Sequence, residues 1–277
     1  MRIVYFGTPS DAVPPLEALV VAGHEVPLVV TQPDRRRARG SGATPSPVRV
    51  AAERLGLTVH TPERSVEIID TVAALGADLG VVVAFGQILP TALLEAIPGG
   101  FVNLHFSLLP RWRGAAPVER AILAGDDETG VAVMAVVPEL DAGGTFGIAR
   151  TPIDPRETAG ELRERLVGIG TDLLVRTLPA VPGRLPDPQV GEPVYAPKLT
   201  VGEFELDPGA PAAATDRLVR AGNPRPGAWL LHHGGRLKVW RGRIEGDRYV
   251  PTEVQPENRP RMTYDAWLAG HRGTPPW

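Results

Sequence analysis

Short β-rich runs alternate with amphipathic segments through the first half of the chain, and this alternation restricts the fold more than any other feature. The runs are RIVYF (2–6), EVPLVV (25–30), LGVVVAF (79–85), FVNLH (101–105) and VAVMAVV (131–137), with helical spacing of apolar residues near 11–22, 47–55, 66–75 and 115–123. Strand followed by helix predicts a parallel sheet covered on both faces, an α/β, doubly wound core. A longer helical pattern at about 157–177, introduced by Asp154 and Pro155, closes this part. Prolines at 179, 182, 186, 188, 193 and 197 then predict a linker without regular structure. Beyond it GAWLLHHGGRLKVWRGRI predicts two strands about a Gly234-Gly235 turn, and RYVPTEVQ one or two more. The expected division is a core at 1–178, a linker at 179–197 and a small β-domain at 198–277.

A chain of 277 residues is long enough for two such domains, and 43% hydrophobic with 22% charged residues is an ordinary soluble balance. Cysteine is absent, which removes disulfides, thiolate metal sites and a cysteine nucleophile, and fits a cytoplasmic location. The apolar stretch at the N-terminus is too short for a signal peptide and reads as a first strand. The longest uncharged run, Leu79 to Leu94, is broken by Gly80, Gly86, Gln87 and Pro90, so no membrane span is expected. The net charge of −3 conceals an uneven distribution: residues 217–277 hold 11 Lys and Arg against 5 Asp and Glu, and residues 33–49 hold five arginines against Asp34. Two basic regions on an acidic remainder are the electrostatic pattern of a nucleic-acid partner.

In FVNLHFSLLPRWRG, Asn103 and His105 stand two apart in a strand and so project from one face, at the carboxyl end where α/β sheets bind ligands. The chain has no G-x-G-x-x-G after its first strand, no phosphate-binding loop and no G-x-S-x-G elbow. The six histidines lack metal-ligand spacing, and the adjacent His232 and His233 read as a solvated hairpin edge. Asp141, in the loop after the next run, is placed to approach His105 and fix its orientation. Asn and His together offer donors to an oxyanion, which suits acyl transfer to a nucleophile brought by the substrate. Each residue also has a plainer reading: His105 as a core histidine, Asp141 as a turn former before Ala-Gly-Gly, the arginines at 35–39 as a surface loop. Composition and periodicity leave these alternatives open.

The string NLHFSLLPRWRGAAP followed by LDAGG resembles the formyltransferases that use 10-formyltetrahydrofolate, and FGTPSDAVPPLEAL, TQPDRRRARG, PSPV, VVAFGQILP and VQPENRPRM fit the same pattern over nearly the whole chain. The resemblance implies a Rossmann-like doubly wound formyltransferase core followed by a shortened OB-like β-barrel domain. It implies Asn103, His105 and Asp141 as catalytic residues and Ser107, Leu108, Leu109 and Pro110 as folate contacts. Arg35, Arg36, Arg37 and Arg39 would bind tRNA. The implied reaction moves a formyl group from 10-formyltetrahydrofolate to the α-amino group of methionyl initiator tRNA, in a cytoplasmic monomer, with no metal. Phe106, Gly144, Pro197 and Phe204-Glu205-Leu206 depart from the usual family residues, and none is a catalytic position. Two other readings remain: formylation of another amine such as an amino-sugar nucleotide, which the PSPV string and the arginine loop disfavour, and a catalytically idle RNA-binding protein.

Overall fold

The computed structural model describes residues 1–36, 43–270 and 274–277. They divide into two compact units, one of Met1–Arg113, Gly130–Arg150 and Glu164–Val194, the other of Gly114–Thr129, Thr151–Arg163 and Tyr195–Trp277.

In the first unit, strands β1 (Arg2–Gly7), β2 (Glu25–Val30), β3 (Val59–His60), β4 (Leu79–Val83) and β5 (Phe101–His105) lie parallel in the order β3-β2-β1-β4-β5. Ile3, Val4, Tyr5 and Phe6 are all fully buried, the continuous apolar run that a sheet covered on both faces requires. Helices α1 (Val13–Val21), α2 (Pro47–Arg54) and α3 (Ile69–Ala74) make the connections. The PSPV string has a local cause: Ser46 caps α2 by accepting from the Arg49 backbone N–H at 3.0 Å, and Pro47 takes the first helical position. Strand order reverses between β1 and β4, which puts the binding crevice beyond their carboxyl ends. There the Thr8 hydroxyl and the Gln32 amide both donate to the Phe85 carbonyl at 2.9 Å and tie three loops together. Below them Phe6 packs on Phe85 and Phe101 with ring centroids 5.4 and 5.5 Å apart.

The sheet is not wholly parallel. Strand β6 (Glu128–Ala135) pairs antiparallel to β5, with Val102 opposite Ala135 and His105 opposite Ala132, and β7 (Thr145–Pro152) adds beyond it. Between β5 and β6 stand a short strand, Arg111–Gly114, and an eight-residue helix, α4 (Pro117–Ala124), that stops at Gly125 with φ +77°. Helical periodicity locates such a segment but does not say to which end of the sheet it returns the chain. The long helix α5 (Ala159–Thr177) starts later than Asp154 and Pro155 suggest: Asp154 instead accepts from the Arg156 N–H in a turn, and Thr158 with Glu161 closes a capping box. Residues 179–197 are not structureless, since Leu178–Ala180 forms a 3-10 turn, Asp187 bridges Thr145 and Val194–Ala196 is a strand. Proline forbids long helices and central strands, not single bridges.

In the second unit, helix α6 (Ala212–Gly222) packs against a four-stranded antiparallel sheet of β8 (Ala228–His232), β9 (Gly235–Glu245), β10 (Arg248–Pro256) and β11 (Met262–Thr263), adjacent in chain order. Val219 of the helix meets Leu230, Leu237, Val239 and Val254 in its core. The first hairpin turns on His233-Gly234, both left-handed at φ 48° and 80°, because His232 pairs with Gly235. The turn therefore lies one residue earlier than the Gly234-Gly235 pair suggests, since a histidine in the left-handed region leaves no sequence signal.

Candidate active site

Asn103 and His105 share a face of β5, across from Met134 and Ala132 of β6, and Leu109 packs on the latter two. His105 is buried, and its Nε2 lies 2.9 Å from the backbone carbonyl of Trp112. A carbonyl only accepts, so the hydrogen is assigned to Nε2. Its Nδ1 then faces the site, where Asp141 Oδ2 stands 3.7 Å away. That distance is too long for a hydrogen bond and short enough for a charge pair once the ring is protonated. The ladder puts Ala135 opposite Val102, three residues short of His105, so it is the loop 136–144 that carries Asp141 to the imidazole.

The half-buried Asn103 amide makes no hydrogen bond among the described residues, which leaves its donors available beside His105. Trp112 (φ +66°) and Asp141 (φ +48°) are left-handed without being glycine, and each uses that conformation to face His105. Gly143 has no alternative at its position, since a Cβ would fall 1.9 Å from the Ala135 carbonyl. Behind the loop stand Arg113, almost fully buried, and Gln189. Neither is found by reading for chemical motifs: RWRG resembles a solvated loop, and Gln189 sits among prolines. The one available signal is period two in RWRG, which turns Arg111 out and Arg113 in.

Ser107 is fully buried and its hydroxyl donates to the Arg111 carbonyl at 2.6 Å. Leu108 and Pro110 are half-buried, and Leu109 is buried. Exposed apolar residues, Ile88 after β4 and Leu140 after β6, stand on loops of the same unit. Arg35–Arg36 pairs antiparallel with Ala43–Thr44, while Arg37 and Arg39 lie outside the described residues. Among the described residues no group of three or more His, Cys, Asp or Glu is arranged to hold a metal ion.

The family model described as formyl transferase matches residues 1–178, and the one described as formyl transferase, C-terminal domain matches 198–250. The chain belongs to the formyl transferase family. Among its relatives are the methionyl-tRNA formyltransferases of Ruegeria pomeroyi, 46% identical over 92% of this chain and 85% of that one, and of Jannaschia sp., 42% identical over 99% and 98%. The fold is shared with the methionyl-tRNA formyltransferase of Clostridium thermocellum, with TM-score 0.64, 15% identity, and 92% and 98% of the two chains covered. It is shared too with HypX from Aquifex aeolicus in complex with tetrahydrofolic acid, with TM-score 0.70, 14% identity, and 97% and 47% covered. In this formyl transferase all three sequence-predicted catalytic residues lie in the first unit.

Proposed function

We propose that this protein transfers the formyl group of 10-formyltetrahydrofolate to the α-amino group of methionyl initiator tRNA. The observation that carries the reading is the uncommitted Asn103 amide beside the His105–Asp141 pair, at the carboxyl end of a sheet strand. The neutral amine attacks the formyl carbon, and the oxyanion of the tetrahedral intermediate is held by the Asn103 amide and by protonated His105, whose Nδ1 carries a hydrogen only in that form. Asp141 takes by relay the proton that the amine loses and returns it to N10 of the folate as the C–N10 bond breaks, giving tetrahydrofolate and formylmethionyl tRNA. Direct attack is favoured over an acyl-enzyme because Ser107, two residues beyond His105, is fully buried with its hydroxyl donated to the Arg111 carbonyl. In the segment 107–110, half-buried Leu108 and Pro110, with exposed Ile88 and Leu140, supply apolar surface for the folate, while Ser107 and Leu109 anchor the segment from within. Arg35, Arg36, Arg37, Arg39 and the basic C-terminal region supply cations for tRNA phosphates. All three catalytic groups come from one chain, so a monomer suffices. The test is formyl transfer by the full chain to charged initiator tRNA with an amino-sugar nucleotide as competing acceptor; preference for the sugar amine would overturn the acceptor.

A further inference from the structure

From residue 182 to 193 nearly every side chain is exposed, Val190 at 85%, yet Gln189 is turned inward. Its amide is engaged at both ends. Nε2 donates to the carbonyls of Asp141 at 2.8 Å and of Gly143 at 2.7 Å. Oε1 accepts from Arg113 Nη2 at 2.8 Å and Nε at 3.1 Å, while Arg113 Nη1 reaches Glu139 at 3.4 Å. A guanidinium only donates and a carbonyl only accepts, so the orientation of this amide follows from its neighbours. Its two hydrogens span the carbonyls on either side of Ala142, in the loop that presents the Asp141 carboxylate. The backbone reinforces the arrangement: Asp187 and Thr145 exchange hydrogen bonds of 2.7 and 2.8 Å, and at Gly144 a Cβ would come within 2.7 Å of the Asp187 carbonyl. A left-handed aspartate is an unfavourable conformation that the surroundings must hold, and Gln189 is the side chain that grips its carbonyl.

We infer that Gln189 is a positioning residue for formyl transfer: with Arg113 fixing its amide, it holds the Asp141–Gly143 backbone and so sets the Asp141 carboxylate against His105. The inference rests on the proposed roles of Asn103, His105 and Asp141. Two variants separate it from simple anchoring of the segment. Gln189→Met keeps the length and removes every polar interaction. Gln189→Glu keeps an acceptor for Arg113, indeed a stronger one, but removes both N–H donors and sets a carboxylate oxygen against two carbonyls. Both variants should lower kcat about 10²-fold, the usual effect of an ångström-scale misplacement, with little change in KM for either substrate. Amide hydrogen exchange of residues 142–145 should quicken in both, while the melting temperature stays near that of the parent protein. Gln189→Glu with parental kcat and unchanged exchange would overturn the inference, since only the Arg113 interaction would then matter. If the parent chain fails to formylate methionyl tRNA, the proposed function falls, while the exchange measurement still decides whether Gln189 holds the loop.

Discussion

At the scale of single residues, the imidazole of His105 is oriented by two backbone positions that an L-amino acid rarely adopts, Trp112 at φ +66° and Asp141 at φ +48°. Each such residue costs about 1–3 kcal/mol, which the surrounding interactions must offset. Replacing His105 or Asn103 by alanine should therefore remove an oriented donor and lower single-turnover formyl transfer by about 10²–10³-fold. Folate affinity should change much less, because the donors meet charge that develops only in the transition state. A His105→Ala enzyme with an unaltered rate would eliminate the site. Asp141→Asn is the sharper probe: asparagine tolerates the left-handed backbone, so the variant isolates the carboxylate. It should be almost as harmful as Asp141→Ala, and retention of most activity would leave Asp141 as a turn former. The facing pair and the loop aspartate can be read from the sequence because period two and strand ends follow from local chemistry. Arg113 and Gln189 cannot, because their roles arise from an interaction between residues 76 apart in the chain.

At the scale of elements, the start of α5 is set by a reciprocal cap. Glu161 accepts from the Thr158 N–H and hydroxyl at 2.8 Å each and pairs with Arg241. The Thr158 N–H first, then Arg241, hold its carboxyl down at about 2, against an ordinary value of 4.5. A depressed carboxylate stabilises the fold fully above its unfolded value, and that contribution disappears as pH falls from 4.5 to about 2. Glu161→Gln should thus be less stable than the parent at neutral pH, with the gap closing below 4.5; because the pair is half exposed, the gap is small. Urea unfolding at a series of pH values measures it, and a gap constant through the acid range would assign the effect to cap geometry instead of charge. Most strands and helices are legible in the sequence because their apolar spacing is locally written. The antiparallel run of β6 is not, since pairing direction depends on where a connection lands, and the cap Thr158-x-x-Glu161 stands behind the more conspicuous Asp154-Pro155 signal.

At the scale of the whole molecule, charge geography bears on the acceptor. Of the five arginines between residues 33 and 49, Arg49 pairs with Asp34 and Glu53; an RNA-free amine has no use for the other four, at 35, 36, 37 and 39, whereas a tRNA presents a phosphate every nucleotide. In the basic C-terminal region part of the cationic charge lies over aromatic rings: Arg236 lies 4.1 Å over the Trp229 ring, and Arg261 lies 3.8 Å over Trp240. Truncating those residues would alter packing as well as charge. The arginines at 36, 37 and 39 give the cleaner test, since they are members of one basic run and their neutralisation removes three charges without changing an apolar residue. For every phosphate that an arginine no longer meets, the salt slope of binding falls by about 0.7–0.9, so replacing Arg36, Arg37 and Arg39 by Gln should flatten the slope by up to about two to three. The kcat for methionyl tRNA at saturation should change little, because the catalytic strand end is untouched, while KM rises at physiological salt. The measurement is tRNA affinity against salt concentration for parent and triple variant. Identical slopes would mean that the loop does not meet RNA, and the small-amine acceptor would then become the better reading of a site whose chemistry serves either nucleophile.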